Sequence, residues 1–277
     1  MGLVTFHKIL RGCEDGTRES WRLFLTDYSP IVFHLAAVYL PNPAGLGKQV
    51  WRDVLQALTS NDFERLRNLH HQAEREFLLD LRALFLDCGV TKLDPSRDFA
   101  QAQPPALDRV RELLKDLPLL HQQVMFTKLA GYSDATIEQI YTITPAVAAQ
   151  SLERLKPQYA ALLGREQDVC LWPAAWTQLV HDARASKTES CPPARQYVRV
   201  LDGQSSWYDK GPLEQHMSTC LHCLERWTAL REITYWRREA KPRPQDEIHD
   251  LLSGLPTRTT STTGRALLKR IFGSSLK

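Results

Sequence analysis

The chain carries no long apolar run. Nowhere in its 277 residues does an apolar stretch reach the roughly 18 residues of a membrane-spanning helix, so no span is expected. Residues 1–7 run into Arg11 and Glu14 without the apolar region of a secretory signal. An excess of one charge is also missing. Lys and Arg number 35 against 32 Asp and Glu, a net of +3, so contact with nucleic acid has to come from a local patch. Catalytic signatures are absent as well: no Gly-rich phosphate loop, no G-x-S-x-G, no H-E-x-x-H, and no carboxylate cluster on an apolar background. The expectation is a protein that is not an enzyme. Cysteine is scarce at six, and three of the six fall in one motif, which suits a reducing cytoplasm better than an oxidising compartment. Cys13, Cys88 and Cys170 are scattered and read as small apolar residues.

What is present is helix, and the expected fold class is all-α. A hydrophobic content of 43% is ample for two or three small packed units. Apolar side chains recur at three- and four-residue spacing over residues 21–28 and 31–40, the second run stopping before Pro41. Residues 41–47 read as a loop from their Pro and Gly content, and 50–58 as helix. Residues 63–86 form one long amphipathic stretch, with Phe63, Leu66, Leu69, Ala73, Phe77, Leu81 and Leu84 on a stripe. The polar, Pro-containing residues 94–105 mark a boundary, so the first unit is 1–93.

The second unit, 106–164, opens with helical patterns over 110–118 and 120–129, closed by Gly131. Ser133-Asp134 signals an N-cap for a helix over 135–141. A three-residue turn follows, and Pro145 sits at the first position of the next helix. Ala135, Ile137, Ile140, Ile143 and Val147 are expected to face inward, giving a helix-turn-helix pattern. The candidate DNA contacts are Thr144, Ala146, Gln150, Ser151, Arg154 and Lys156, with Gln150 able to pair with adenine. Over 145–163, Arg154 and Lys156 stand against Glu153, a net of +1, where phosphate contact calls for several cations. Pro157 is expected to interrupt the helix. A helical hairpin kept for packing or for a protein partner stays open beside DNA binding.

Residues 165–187 read as a connecting helix whose Trp172, Trp176 and Leu179 stripe serves as core or as glue between units. A third unit spans 188–240. Its helix over 224–238 carries Trp227, Leu230, Ile233 and Trp236 on one stripe. Residues 241–277 read as a flexible basic tail, beginning with the linker Lys241-Pro242-Arg243-Pro244 and containing six Ser or Thr over 257–263. Within it, 265–272 is a short basic amphipathic piece. It reads as solvated, with contact to a membrane surface, nucleic acid or a partner groove left open.

The third unit holds the pattern with most chemistry. Cys220 and Cys223, two residues apart, can grip one metal from a single turn, and His216 lies one helical turn earlier. Cys191, 25 residues before His216, completes a tetrahedral Cys₃His set, the closed arrangement of structural zinc. With four protein ligands no position is open to water, so the site serves structure or redox sensing rather than hydrolysis. Two alternatives stay open: buried free cysteines with a surface histidine, and a redox disulfide between Cys220 and Cys223. His222 competes with His216, and its place inside the knuckle makes it an exposed spacer.

Three groups of residues carry a resemblance. Cys191-Pro192-Pro193, then Tyr197-Val198-Arg199-Val200-Leu201-Asp202-Gly203, then Leu213-Glu214-Gln215-His216 with the two cysteines, resemble a zinc-binding anti-sigma domain over residues 191–238. Leu117-Pro118 to Val124, Lys128 to Ser133, and Ile137 to Ile140 resemble the C-terminal domain of an extracytoplasmic-function sigma factor. Trp21 to Phe24 and Tyr28 to Val32 resemble that family's first domain. The resemblance implies a sigma-like pair of units restrained in cis by a zinc domain with Cys191, His216, Cys220 and Cys223 as ligands. It also implies RNA polymerase core or a sigma factor as partner, with promoter DNA as a further one. There is a departure: the acidic polymerase-contacting run of that family is replaced by residues 47–54, where Asp53 is the one acid.

Overall fold

The computed structural model describes residues 5–69, 72–100, 103–163 and 171–256, and these fold as 14 helices with no strand among them. The all-α expectation holds. No helix among the described residues is long and apolar enough to cross a membrane.

Helix α1 (Phe6–Glu14) buries Ile9, Leu10 and Cys13 against α2 (Arg18–Tyr39). The two helical runs expected over 21–40 are one helix. Pro30 lies inside it, fully packed, and neighbouring Ser29 accepts a hydrogen bond from Trp51 Nε1 at 3.0 Å. Tertiary burial along nearly the whole of α2 outweighs the local cost of the proline. Helix α3 (Pro43–Arg67) begins inside the stretch that composition marks as loop. Asn42 accepts from Gly45 N–H at 3.2 Å and Pro43 occupies the first turn, so the Pro and Gly there start a helix. Gly47 is needed for close approach: a Cβ on it would lie 2.8 Å from Ala36 Cβ on α2.

The expected single helix over 63–86 is two. Helix α3 ends at Arg67 and α4 (Glu74–Val90) starts afresh, while Asn61, Asp62 and Phe63, with left-handed φ values (48, 54 and 63°), kink α3 ahead of that stretch. The apolar stripe persists across the break because Phe63, Leu66, Phe77, Leu81 and Leu84 are all buried. The linker 94–105 contains a one-turn helix, α5 (Pro95–Asp98), capped by Asp94.

Helices α6 (Leu107–Leu114), α7 (Leu119–Leu129), α8 (Asp134–Tyr141) and α9 (Pro145–Leu163) follow. Ser133 caps α8 through Thr136 N–H as expected, and left-handed Thr142 turns the chain into α9. Two inward assignments are corrected: Ala135 and Val147 are exposed, while Ile137 and Ile140 are buried. Nor does Pro157 interrupt α9, which runs through it.

Of the connecting stretch, α10 (Pro173–Ala185) is described, while residues 164–170 lie outside the described residues. Trp176 is buried against Phe126 of α7 (4.8 Å between ring centres) and Tyr39 of α2 (6.3 Å), so it joins α10 to α7 and α2. Trp172 departs from that stripe and is 38% exposed. Helices α11 (Ala194–Leu201), α12 (Trp207–Thr219) and α13 (Leu221–Glu239) complete the third unit.

Residues 241–277 are not a uniform tail. After the Pro-rich linker, α14 (Gln245–Ser253) docks on α2 by burying Ile248, Leu251 and Leu252. Asp250 holds Lys48 (2.7 Å) and Arg52 (2.8 Å) of α3. Its apolar residues at 248, 251 and 252 are helical in spacing, a signal hidden by the flanking prolines. The rest of the tail, with its 265–272 segment, lies outside the described residues. The architectural centre is α13, which packs on α2, α4, α7, α8, α10, α11 and α12. Side chains from all these helices join one apolar cluster.

Candidate metal centre

The chain brings Cys191, His216, Cys220 and Cys223 together. Their ligand atoms all lie within 4.8 Å of one another. Local structure explains how. His216 stands in the last turn of α12, and Cys220 ends α12 while starting α13, its own N–H bonding to the His216 carbonyl at 3.0 Å. Cys223 follows in the first turn of α13, and Cys191 arrives in the loop between α10 and α11.

The geometry fits a metal ion. Cys191 Sγ and Cys220 Sγ are 3.8 Å apart, and sulfurs held tetrahedrally at about 2.3 Å from a zinc-like ion sit about 3.8 Å from each other. That separation is far from the roughly 2 Å of a disulfide, and all three cysteines are free thiols. His216 Nε2 is buried with no hydrogen-bond partner, as a ligand nitrogen would be. Thr188 N–H donates to Cys191 Sγ at 3.3 Å, a contact that orients the ligand. The thiols also polarise one another. Cys220 is pushed down to about 4, first by the hydrogen bond from Cys223, with burial opposing. Cys223 is pushed up by that same hydrogen bond and by burial. Three sulfurs at this distance become thiolates together only around a cation. The Cys₃His cluster could thus hold a metal ion, and its donor set suits zinc.

His222 is not the exposed spacer expected. It is 5% exposed, it is outside the ligand cluster, and its Nδ1 lies 2.9 Å from the Arg184 carbonyl of α10. Because that carbonyl only accepts, Nδ1 carries the proton. Burial lowers the pKa of this ring.

The candidate DNA contacts divide. Thr144, Ala146, Gln150, Arg154 and Lys156 are on the surface at the start and outer face of α9. Ser151 is not: it is 1% exposed, and its hydroxyl donates to the Val147 carbonyl at 2.8 Å. It therefore drops out as a base contact, since it falls on the inner face with Ala148 and Leu155. Lys156 is paired with Glu153 at 2.7 Å. The α8–α9 turn also borders α13. Tyr235 donates to Gln139 Oε1 at 2.7 Å, and Thr144 shares a cleft with Tyr235, Arg238 and Glu239.

A buried polar network escaped the sequence patterns. Arg82 of α4 donates to Glu225 (2.5 Å) and Glu232 (2.9 Å) of α13, and to the Tyr39 hydroxyl of α2 (2.5 Å). Tyr39 and Tyr132 both donate to Glu232, at 3.0 and 2.5 Å, and Trp236 Nε1 donates to Tyr132 at 3.0 Å. Burial raises the pKa of both phenols, which keeps them as donors. One signal was available. Glu225 and Glu232 are seven residues apart on a helix whose same face is apolar, and Arg82 stands between Leu81 and Leu84.

No family model matches the chain, and neither a curated protein nor a solved structure matches it.

Proposed function

We propose that this chain is a sigma-factor-like transcription regulator that engages RNA polymerase core and promoter DNA, restrained in cis by a Zn²⁺-binding anti-sigma-like unit. The observation that carries it is the Arg82–Glu232–Tyr132 network. Through it α13, on the metal unit, binds α2 and α4 of the first sigma-like unit and Tyr132 of the second at one buried point. Zinc, held by Cys191, His216, Cys220 and Cys223, would fix the first turn of α13. Glu232 lies nine residues beyond Cys223, about 13.5 Å along the same helix. Loss of the metal or oxidation of its thiols would loosen that helix and free the two units, because metal binding and folding are coupled in so small a site. No catalytic step belongs to this function.

The test is capture of purified RNA polymerase core by the full chain, with zinc measured on the same sample. The expected result is stoichiometric zinc, with more polymerase retained by Cys220→Ser than by the parent chain. No zinc, or no polymerase with either form, overturns it.

A second function, a protein-interaction scaffold without DNA contact, is favoured by α9 itself. With Ser151 inward and Lys156 paired, Arg154 is the one α9 cation without an ion pair among the described residues. A mobility shift with promoter-like DNA separates the two. The regulator binds with an affinity that falls steeply as salt rises, and the scaffold gives no shift.

A further inference from the structure

Helix α14 is held to the rest of the fold by little. Its nine residues follow residues 240–244, a linker with two prolines, and its broad contact is with α2. Three side chains, Ile248, Leu251 and Leu252, are buried in the groove beneath it. Nine residues fall short of the roughly 12–15 that an isolated helix needs in water, so α14 depends on docking to be helical. Docking therefore orders the whole segment while burying three apolar side chains, and that ordering offsets much of what burial contributes.

The groove also selects by charge. Helix α14 carries Asp246, Glu247 and Asp250 and no Lys or Arg. Lys48 and Arg52, one turn apart on α3, hold Asp250 at 2.7 and 2.8 Å. Both cations are about half in solvent, so these pairs orient the helix more than they hold it. Beside the end of α14 the groove continues as a cavity of about 450 Å³ that follows α3 from Arg52 to Thr59. Apolar Leu55 lies on its wall, so a helix longer than α14 has further surface to cover.

We propose that the α2–α3 groove is a docking site for an acidic amphipathic helix of a partner protein, and that α14 occupies it in cis. The pattern the groove reads is the one α14 displays: apolar side chains at 248, 251 and 252 with a carboxylate at 250. A helix already ordered within a folded partner escapes the cost that α14 bears. In return α14 has its tether, an effective concentration on the order of millimolar for a short linker. Exchange follows when the partner's affinity exceeds that advantage. The inference rests on α14 and its groove, and it holds whether or not the chain acts in transcription.

The test uses the full, metal-loaded chain and a fluorescein-labelled synthetic peptide of residues 243–256, followed by anisotropy. Leu251→Asp with Leu252→Asp puts charge on the apolar face of α14 and releases it. The peptide is expected to bind this variant saturably, and the parent at least about ten-fold more weakly, because α14 competes in cis. Asp250→Arg, a surface change that keeps the apolar face, should also raise the peptide's affinity above the parent's. Adding Lys48→Glu and Arg52→Glu to the released variant should weaken the peptide about ten-fold, since two attractions become two repulsions. A peptide carrying Asp250→Lys should regain that loss, and metal content should be the same throughout. Equal binding by the parent and both released variants, no saturable binding by any of them, or binding indifferent to the charges at 48 and 52 overturns the inference. So does a released variant that pairs with a second copy and excludes the peptide.

Discussion

Arg82 Nε donates to Glu232 Oε2 at 2.9 Å, joining α4 to α13 across 150 residues of chain. Both side chains are almost wholly buried, at 4% exposure each. A buried pair of this kind is no proof of stability, because desolvation offsets much of the attraction; removing one partner, however, strands the other. Arg82→Met would leave the Glu225 and Glu232 carboxylates facing each other without a cation. The expected loss is about 3–5 kcal/mol, read from denaturant unfolding of the metal-loaded chain. A loss below about 1 kcal/mol would mean that water, not Arg82, balances those carboxylates.

Two glycines should respond with opposite signs. Gly47→Ala brings a methyl group within 2.8 Å of Ala36 Cβ, which forces α3 away from α2. Overpacking there should cost about 1–3 kcal/mol. Gly254, closing α14 at φ −83°, would place an added Cβ 3.7 Å from Leu251 O, an ordinary contact. Gly254→Ala should therefore stabilise by about 0.4–1 kcal/mol, by restricting the unfolded chain. Thermal unfolding of the two variants side by side decides, and the same sign for both would show that the helix contacts around Gly47 are misjudged.

The pattern of what sequence could reveal follows from range. The metal cluster was legible because its ligands are three and four residues apart on adjoining turns, and Cys191 is set by chemistry, not by register. The Ser133 cap and the Pro145 start were legible for the same local reason. The runs over 21–28 and 31–40 are one helix because packing of Tyr28, Ser29 and Ile31 outweighs the local cost of Pro30, a balance that no local pattern reads. The gap between the end of α3 at Arg67 and the start of α4 at Glu74 falls inside the 63–86 stripe, whose Phe63, Leu66, Phe77 and Leu81 are buried on both sides of it, so periodicity passes over it. Ser151 failed as a candidate because the inner face of α9 is chosen by α7 and α8, not by α9 alone. The Arg82 network joins residues 43 to 193 positions apart, and no window on the sequence holds such pairs.

His34 should make stability depend on pH. Its ring stacks on Trp236 at 3.8 Å between centres, and burial, then the nearby Arg243, hold its pKa below the ordinary value. A histidine whose folded pKa is depressed binds fewer protons folded than unfolded. Its contribution is whole above the unfolded pKa of about 6.5 and is lost as pH falls below it. Denaturation midpoints at pH 7.5 and pH 5.5 should therefore fall less in His34→Phe, which keeps the stack, than in the parent chain. An equal fall in both would assign the acid sensitivity to other groups.

With an ion bound, the sulfurs of Cys191, Cys220 and Cys223 are ligands and only slowly reach a thiol reagent. Without it, three sulfurs within 4.8 Å of the His216 ring must take up protons or spread apart. Cys220 is the group to watch, since its neighbours already push its thiol down to about 4 and it is only half-buried. A chelator should therefore turn Cys220 from an inert ligand into the fastest-reacting thiol of the chain, ahead of buried Cys13, whose thiol burial pushes far up. Modified peptides identified by mass spectrometry before and after chelation give the answer. Because the first turn of α13 loses its anchor with the metal, the unfolding midpoint should fall in the same step. Equal labelling of Cys220 with and without chelator would mean that no ion had been holding it, and that α12 and α13 meet at this corner through packing alone.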